Sequence, residues 1–261
     1  NWLQALEGGI DSSHVSFLHS ASLSRDPLFK GAKGNQYNLN DLSPVFEVVE
    51  ADGGLLVGAR RNAEDDQYYW RITPWIMPCF TMVPPRGDHP VHGHFWVPIN
   101  DTSCWTWSFD YHPTRALTTA EVDAMKGGAS IHVLVDKDYV PLQRMDNDYL
   151  MDRKAQREGS LYSGIEGIGM QDASLQESMG SIQDRTKENL VSTDNGIIMA
   201  RQRLIKAARA LAENPDFVLP GLDPEHQKIR SVAILLKRDK VFKEDAKEAF
   251  RAVPGKPHAS V

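Results

Sequence analysis

Cysteine is nearly missing from this chain. Cys79 and Cys104 are the only two in 261 residues, and they lie in apolar, strand-like runs outside any CxxC or CxH pair. A zinc ribbon or an iron–sulfur cluster held by this segment is thereby excluded on ligand count. Long hydrophobic runs are missing too. No apolar stretch approaches the roughly 18 residues of a membrane-crossing helix, so no membrane partner is expected. No long basic run occurs and the formal net charge is −6. That argues against nucleic acid as a partner and makes the acidic excess a solvated surface. No signal peptide is visible, and the expected compartment is the cytoplasm. An initiator Met is also missing, and the chain opens on NWLQALEGG, already apolar and helix-like; it reads as a domain cut from a longer protein. What is present is a globular composition, 41% hydrophobic and 25% charged, in a chain long enough to bury a large core.

The hydrophobic period changes along the chain. Residues 1–20 read as helical on Trp2, Leu3, Leu6, Ile10, Phe17 and Leu18, with Gly8-Gly9 weakening the middle. Residues 21–43 are polar and loop-like. VFEVVEA (45–51) and GLLVGARR (54–61) flank Asp52-Gly53, a hairpin signal. YYWRIT (68–73), CFTMV (79–83), HFWVPI (94–99) and CWTWSFDYH (104–112) follow as strands between Pro/Gly turns. In the last, Trp105, Trp107, Phe109 and Tyr111 share one face. Thr118 to Glu121 is a T-x-x-E capping box opening a short helix through Met125. Residues 172–190 are helical in composition. Asp194 can cap a further helix carrying Ile197, Ala200, Leu204, Ala208 and Leu211 at 3/4 spacing and stopping at Asn214-Pro215. Residues 216–261 are Lys-rich and Pro-punctuated, a surface tail packed on the same domain with one helix near 241–252. The expected fold class is α+β, a curved antiparallel β-sheet wrapping a long C-terminal helix around a cavity, with residues 1–215 as the functional domain.

The stretch EGGIDSSHVSFLH (7–19) sets Asp11 three residues before His14, and His14 five before His19. On an ideal helix, positions i and i+5 stand about 140° apart. The two imidazoles can face one metal only if the helix bulges or breaks. Read alone, the motif is better explained as solvated polar residues. Two histidines and a carboxylate, however, form the open face of non-haem Fe(II) oxygen chemistry. GIEGIGMQDASLQESMGSIQDRTKENL (164–190) offers Asp172, Glu177, Asp184 and Glu188 for the third place. Trp70, Trp105, Trp107 and Phe109 are candidates either to line a pocket for an aromatic ring or to pack the core. Arg71 suits a substrate carboxylate or a salt bridge on the outer sheet face. DHPVHGH gathers His89, His92 and His94, but no carboxylate cluster completes a second metal site there, and Pro90 and Gly93 mark a solvated loop.

NWLQALEGGIDSSHVSFLH resembles the iron-binding motif of the catalytic α-subunits of Rieske non-haem iron aromatic-ring-hydroxylating oxygenases. MQDASLQESMGSIQDRTKENL resembles the carboxylate region of their phthalate 4,5-dioxygenase-like branch, and YYWRITPWIMPCFTM between them fits the same order. The opening is similar to that of aryl-ether O-demethylases such as the 5,5'-dehydrodivanillate enzyme. The resemblance covers most of residues 1–210. It implies a helix-grip, START-like fold with mononuclear Fe(II) between helices and sheet. His14 and His19 match the iron-binding histidines, Asp172 the third ligand, with Asp184 as runner-up. Asp11 matches a carboxylate that bridges the first histidine to a Rieske-cluster histidine of a neighbouring subunit. The implied activity is O2-dependent hydroxylation of an aromatic acid, or O-demethylation of a methoxylated aromatic to a phenol and formaldehyde. Arg71 and Trp107, on their residue chemistry alone, are the candidates to contact such a substrate. The implied partners are an aromatic substrate, O2, a ferredoxin and/or flavin reductase bringing NAD(P)H electrons, and two further copies in a homotrimer. This chain departs from the family in lacking the two-Cys, two-His pattern of the [2Fe–2S] Rieske domain, which is expected upstream. A metal-free START-like binding module for an apolar or aromatic ligand is the alternative, and a zinc hydrolase on the same residues ranks last.

Overall fold

The computed structural model describes residues 1–261. Asp52-Gly53 turns β1 (Val45–Ala51) back on β2 (Gly54–Asn62), with Ala51 opposite Gly54. The antiparallel meander continues through β3 (Gln67–Ile76), β4 (Phe80–Val83), β5 (Val91–Pro98) and β6 (Cys104–Tyr111), so that spatial order follows chain order. A seventh strand, β7 (Val232–Lys237), returns from the far end of the chain to pair with residues 67–72 of β3. The rest of that edge of β3 meets β4 at Trp75 and Ile76. Pro74 falls in the gap between the two partners, where a residue without an N–H is tolerated.

Helices α1 (Trp2–Ile10), α2 (Val15–Leu18), α3 (Ser22–Arg25) and α4 (Gly34–Asn40) precede the sheet. Helices α5 (Thr119–Lys126), α6 (Arg153–Arg157), α7 (Ile168–Ser178) and α8 (Asn195–Glu213) follow it, and α9 (Phe242–Asp245) follows β7. The main core joins Leu6 and Ile10 of α1 and Ala200 and Ala207 of α8 to Leu55, Val57, Trp75 and Trp96 of the sheet. The free thiols of Cys79 and Cys104 pack against it. On the opposite face Leu56, Trp70, Ile72 and Val232 pack with Phe242 and Phe250. Because both faces of β2 are covered, its sequence reads as a continuous apolar run. The architecture is the expected α+β class, a curved antiparallel sheet with helices packed on it. No helix is long and apolar enough to cross a membrane.

Five local expectations are corrected. Residues 21–43, expected as a loop, hold α3 and α4. The helix over residues 1–20 stops at Ile10. Residues 172–190 hold only the end of α7, which begins earlier, at Ile168, and stops at Ser178. The buried stripe of α8 drifts to Gly196, Ala200 and Ala207, leaving Leu211 exposed, and the Asp194 carboxylate accepts from the Val191 N–H rather than capping the helix. The segment after residue 216 is no mere surface tail, since it supplies a strand and much of the second core. Lysines at its edges hid the apolar run VAILL, whose Val232 and Ala233 are fully buried. Phe242 is likewise fully buried, its ring 4.9 Å from that of Trp70. Phe242→Ala is therefore expected to destabilise the fold by about 3–5 kcal/mol, read from the urea midpoint. A loss below about 1 kcal/mol would return the segment to the surface.

Candidate metal centre

Asp11 ends α1. Its backbone is extended (φ −86°, ψ 127°). Its carboxylate accepts the Ser13 N–H through Oδ1 at 2.7 Å and the His14 N–H through Oδ2 at 3.2 Å. A side chain that satisfies the following N–H groups competes with the helix ladder, and the chain restarts as the single turn α2. His14 stands just before that turn and His19 just after it. The five-residue spacing thus brackets one turn, and the rings meet edge-on with Nε2 to Nε2 at 3.1 Å. From α7, Asp172 brings Oδ1 to 3.1 Å from His19 Nε2 and 3.5 Å from His14 Nε2. Gly9 lets α1 lie this close to the sheet. A Cβ there would stand 3.0 Å from Thr81 Oγ1 and 3.2 Å from Trp96 Nε1.

The neighbours fix the tautomers. Gln171 Nε2 donates to the Ile165 carbonyl at 2.9 Å, which turns Oε1 toward His19 Nδ1 at 2.7 Å. Asp11 Oδ2 accepts from His14 Nδ1 at 2.9 Å. With both Nδ1 atoms carrying the protons, two Nε2 lone pairs and a carboxylate oxygen converge within 4.8 Å of one another. Three acceptors facing each other repel unless a cation sits among them. Burial opposes charge on His14, yet the Asp11 hydrogen bond and the nearby Asp172 raise its pKa; Asp172, also opposed by burial, is lowered by His19 and His14. That pull toward positive charge is the demand a divalent ion meets. The donor set, two imidazoles and one carboxylate, suits iron with open positions. Of the other carboxylates, Asp184 caps an exposed turn, accepting from Thr186 and pairing Lys187. Glu177 accepts from Tyr149 Oη at 2.6 Å.

A cavity open to solvent adjoins the three residues. Arg71 of β3 is 2% exposed and lines it, with Nε and Nη1 lacking any partner. The outer-face salt bridge is thereby excluded. Arg86 also lines it, with Nη1 donating to Asn35 Oδ1 at 2.7 Å and Nε unpartnered. Burial and then Arg71 push the Arg86 guanidinium down to about 9. Trp107 does not line the cavity. It is 61% exposed on the outer face of β6 beside Trp105. Trp70 and Phe109 lie in other clusters, and the indole that does line the cavity is Trp96.

Residues 1–247 match the family described as LigXa C-terminal domain like. The chain belongs to this family. It is 32% identical over 243 residues to the 3-chlorobenzoate-3,4-dioxygenase oxygenase subunit of Comamonas testosteroni, covering 87% of this chain and 55% of that subunit. It is 28% identical over 247 residues to the phthalate 4,5-dioxygenase oxygenase subunit of Pseudomonas putida, covering 92% of this chain and 55% of that subunit. The chain therefore spans about half the length of these curated relatives. The resemblance of the two motifs to Rieske oxygenase catalytic domains is borne out by these matches.

In this LigXa-type domain, the residues that sequence reading missed are Gln171, Arg86, Trp96, His92 and His94. The solvated loop expected at DHPVHGH is wrong for its second half. β5 begins at Val91, and His92 and His94 are buried in the cavity wall. The signal was there in the i, i+2, i+4 spacing of His92, His94 and Trp96, which puts all three on one face of a strand. Burial above all, with Arg86 acting on His92 and His92 acting on His94, pushes His92 down to about 4 and His94 to about 3, against the pull of Asp110 on His92 and of Asp172 on His94. The unfolded chain binds protons at these rings near 6.5, whereas the folded chain does not until about 4 and about 3. Their neutral forms thus favour folding above about 6.5, and stability falls as the pH drops below it. The urea midpoint is expected to fall from pH 7 to pH 5, with a shallower slope in a His92→Gln/His94→Gln variant. Equal slopes would contradict the assignment.

Proposed function

We propose that this chain is the catalytic domain of a Rieske-type oxygenase α-subunit that holds Fe(II) on His14, His19 and Asp172 and hydroxylates an aromatic acid with O2. The observation that carries the reading is the convergence of three acceptor atoms whose histidines are locked in the metal-binding tautomer by Asp11 and Gln171. Bound there, iron would supply the one-electron chemistry that makes dioxygen reactive toward an aromatic ring. Arg71, buried and unpaired, would take the substrate carboxylate through two N–H donors. Trp96 and the apolar side chains of the wall would hold the ring beside the three ligands.

Two outcomes balance. Ring cis-dihydroxylation takes one O2, two electrons and two protons to a dihydrodiol. Hydroxylation of a methoxy carbon takes the same and gives a phenol, formaldehyde and water. The relatives' names, both dioxygenases of carboxylated rings, favour the first. The electrons would come from NAD(P)H through a reductase or ferredoxin partner and a [2Fe–2S] Rieske cluster, within a homotrimer in which Asp11 faces a neighbour's cluster. Asp11→Asn is then expected to keep iron bound, with at most about 10–100-fold weaker affinity, while product formation driven by the partner reductase is lost. Normal turnover with normal iron would sink the bridging role.

The test of the whole reading is metal analysis with labelled oxygen. The full chain, loaded with Fe(II) and given a chemical reductant, ¹⁸O2 and an aromatic acid, is expected to yield a product carrying ¹⁸O. Zinc after aerobic purification, with turnover that needs no O2, would replace it with a hydrolase. No stoichiometric iron, with ligand affinity unaffected by His14→Ala, would replace it with a binding module.

A further inference from the structure

Two imidazoles on the cavity wall take no part in the metal centre. His92 is 2% exposed and His94 8%. His92 Nδ1 faces the Pro90 carbonyl at 3.3 Å, and its Nε2 is buried with no partner. His94 Nδ1 is likewise buried without a partner. Neither ring is loose. His94 stacks on Trp96 with centroids 4.4 Å apart, and Trp96 is anchored by its Nε1–H to Thr81 Oγ1 at 3.0 Å. His92 stacks on Phe29 at 5.6 Å. Asp110, opposite His92 across the β5–β6 ladder, is engaged through Oδ2 by His132 Nε2 at 2.5 Å, leaving its Oδ1 unpartnered.

Buried polar atoms are seldom left unpaired. When they lie on a preformed cavity wall with their ring planes fixed by stacking, a ligand group completes them. A neutral imidazole offers one N–H and one lone pair. A phenolic hydroxyl does both, as a strong donor and a ready acceptor on a single atom. An ether oxygen or a chlorine only accepts, and an apolar ring edge does neither.

Taking the cavity as the aromatic-acid site argued above, we propose that His92 and His94 bind a phenolic hydroxyl on the acid whose carboxylate Arg71 holds, which makes the substrate class a hydroxylated aromatic acid. Such a site rejects the analogue that lacks the hydroxyl, because the imidazole edges are then left unpaired in a dry wall.

The experiment is an anaerobic calorimetric titration of the Fe(II)-loaded full chain with benzoate, the three hydroxybenzoates and the three methoxybenzoates. At least one hydroxybenzoate is expected to bind about tenfold tighter than benzoate and than its methoxy counterpart. His94→Phe, which keeps a ring on Trp96, is expected to bring that ratio within about threefold. His94→Gln, which keeps a donor and an acceptor, is expected to retain part of it, and His92→Phe repeats the test should His94→Phe fail to fold. Equal binding of benzoate and all three hydroxybenzoates overturns the hydroxyl site while leaving the aromatic-acid reading standing. So does a methoxybenzoate binding as tightly as its hydroxy counterpart, or a ratio unchanged by Phe at either histidine. Failure of every one of these acids to bind overturns both readings.

Discussion

Replacing His19 by alanine is expected to lower Fe(II) affinity by more than about 100-fold, beyond the 10–100-fold that follows loss of an outer hydrogen-bond partner. His19 is 5% exposed, and its Nε2 stands 3.1 Å both from Asp172 Oδ1 and from His14 Nε2. It is the member of the trio that touches both others at short range. Its Nδ1 is committed to Gln171, which leaves the Nε2 lone pair for the metal, and alanine offers no replacement donor. The substitution also orphans Gln171 Oε1, at a cost of about 1–3 kcal/mol, read separately from thermal unfolding of the metal-free protein. Asp184→Ala serves as the comparison and should change iron affinity by less than about twofold, since Asp184 is engaged in its own exposed turn. Equal iron content in wild type and His19→Ala, measured after gel filtration, would remove His19 from the centre.

Arg71→Met is expected to act with opposite signs on binding and stability. Benzoate affinity should fall about 100-fold or more, because truncating one partner of a buried charge pair costs about 2–5 kcal/mol. The fold itself should gain about 1–3 kcal/mol. A guanidinium 2% exposed with two N–H groups unpaired is a standing desolvation cost, and a shorter, unbranched apolar side chain removes it. Opposed effects of this kind mark a residue kept for function. Arg71→Lys should recover little of the binding, since an ammonium cannot present the planar two-donor edge. A destabilised variant with unchanged benzoate affinity would make Arg71 a packing residue instead.

How much of this was legible depended on whether the signal was local. The Asp52-Gly53 hairpin and the Thr118–Glu121 capping box appear where their own residues place them. Such chemistry is complete within four residues. The spacing of His14 and His19 already demanded an interruption of the helix. What makes the interruption is Asp11, whose carboxylate is at once the breaker of α1 and the acceptor from His14. Both roles follow from a short acceptor two and three residues before N–H groups, but only the fold separates that from a solvated Asp. Gln171 was invisible because its role depends on meeting a ring 152 positions away. His92 and His94 were lost to punctuation. Pro90 and Gly93 suggested a loop, whereas Gly93 is a strand residue whose Cβ would collide with the Thr81 carbonyl oxygen at 2.3 Å. Trp107 shows the converse error. Its alternation was real, but periodicity says which residues share a face and not which face is covered.

The central claim is that two histidines and one aspartate from two distant helical segments hold one iron. X-ray absorption at the iron edge of the Fe(II)-loaded full chain, prepared anaerobically, tests it most directly. The account predicts one iron per chain with the multiple-scattering signature of two imidazole ligands, reduced to one when His14 is replaced by alanine. Iron bound with no imidazole scattering, or no iron retained by the folded wild-type chain, would contradict it.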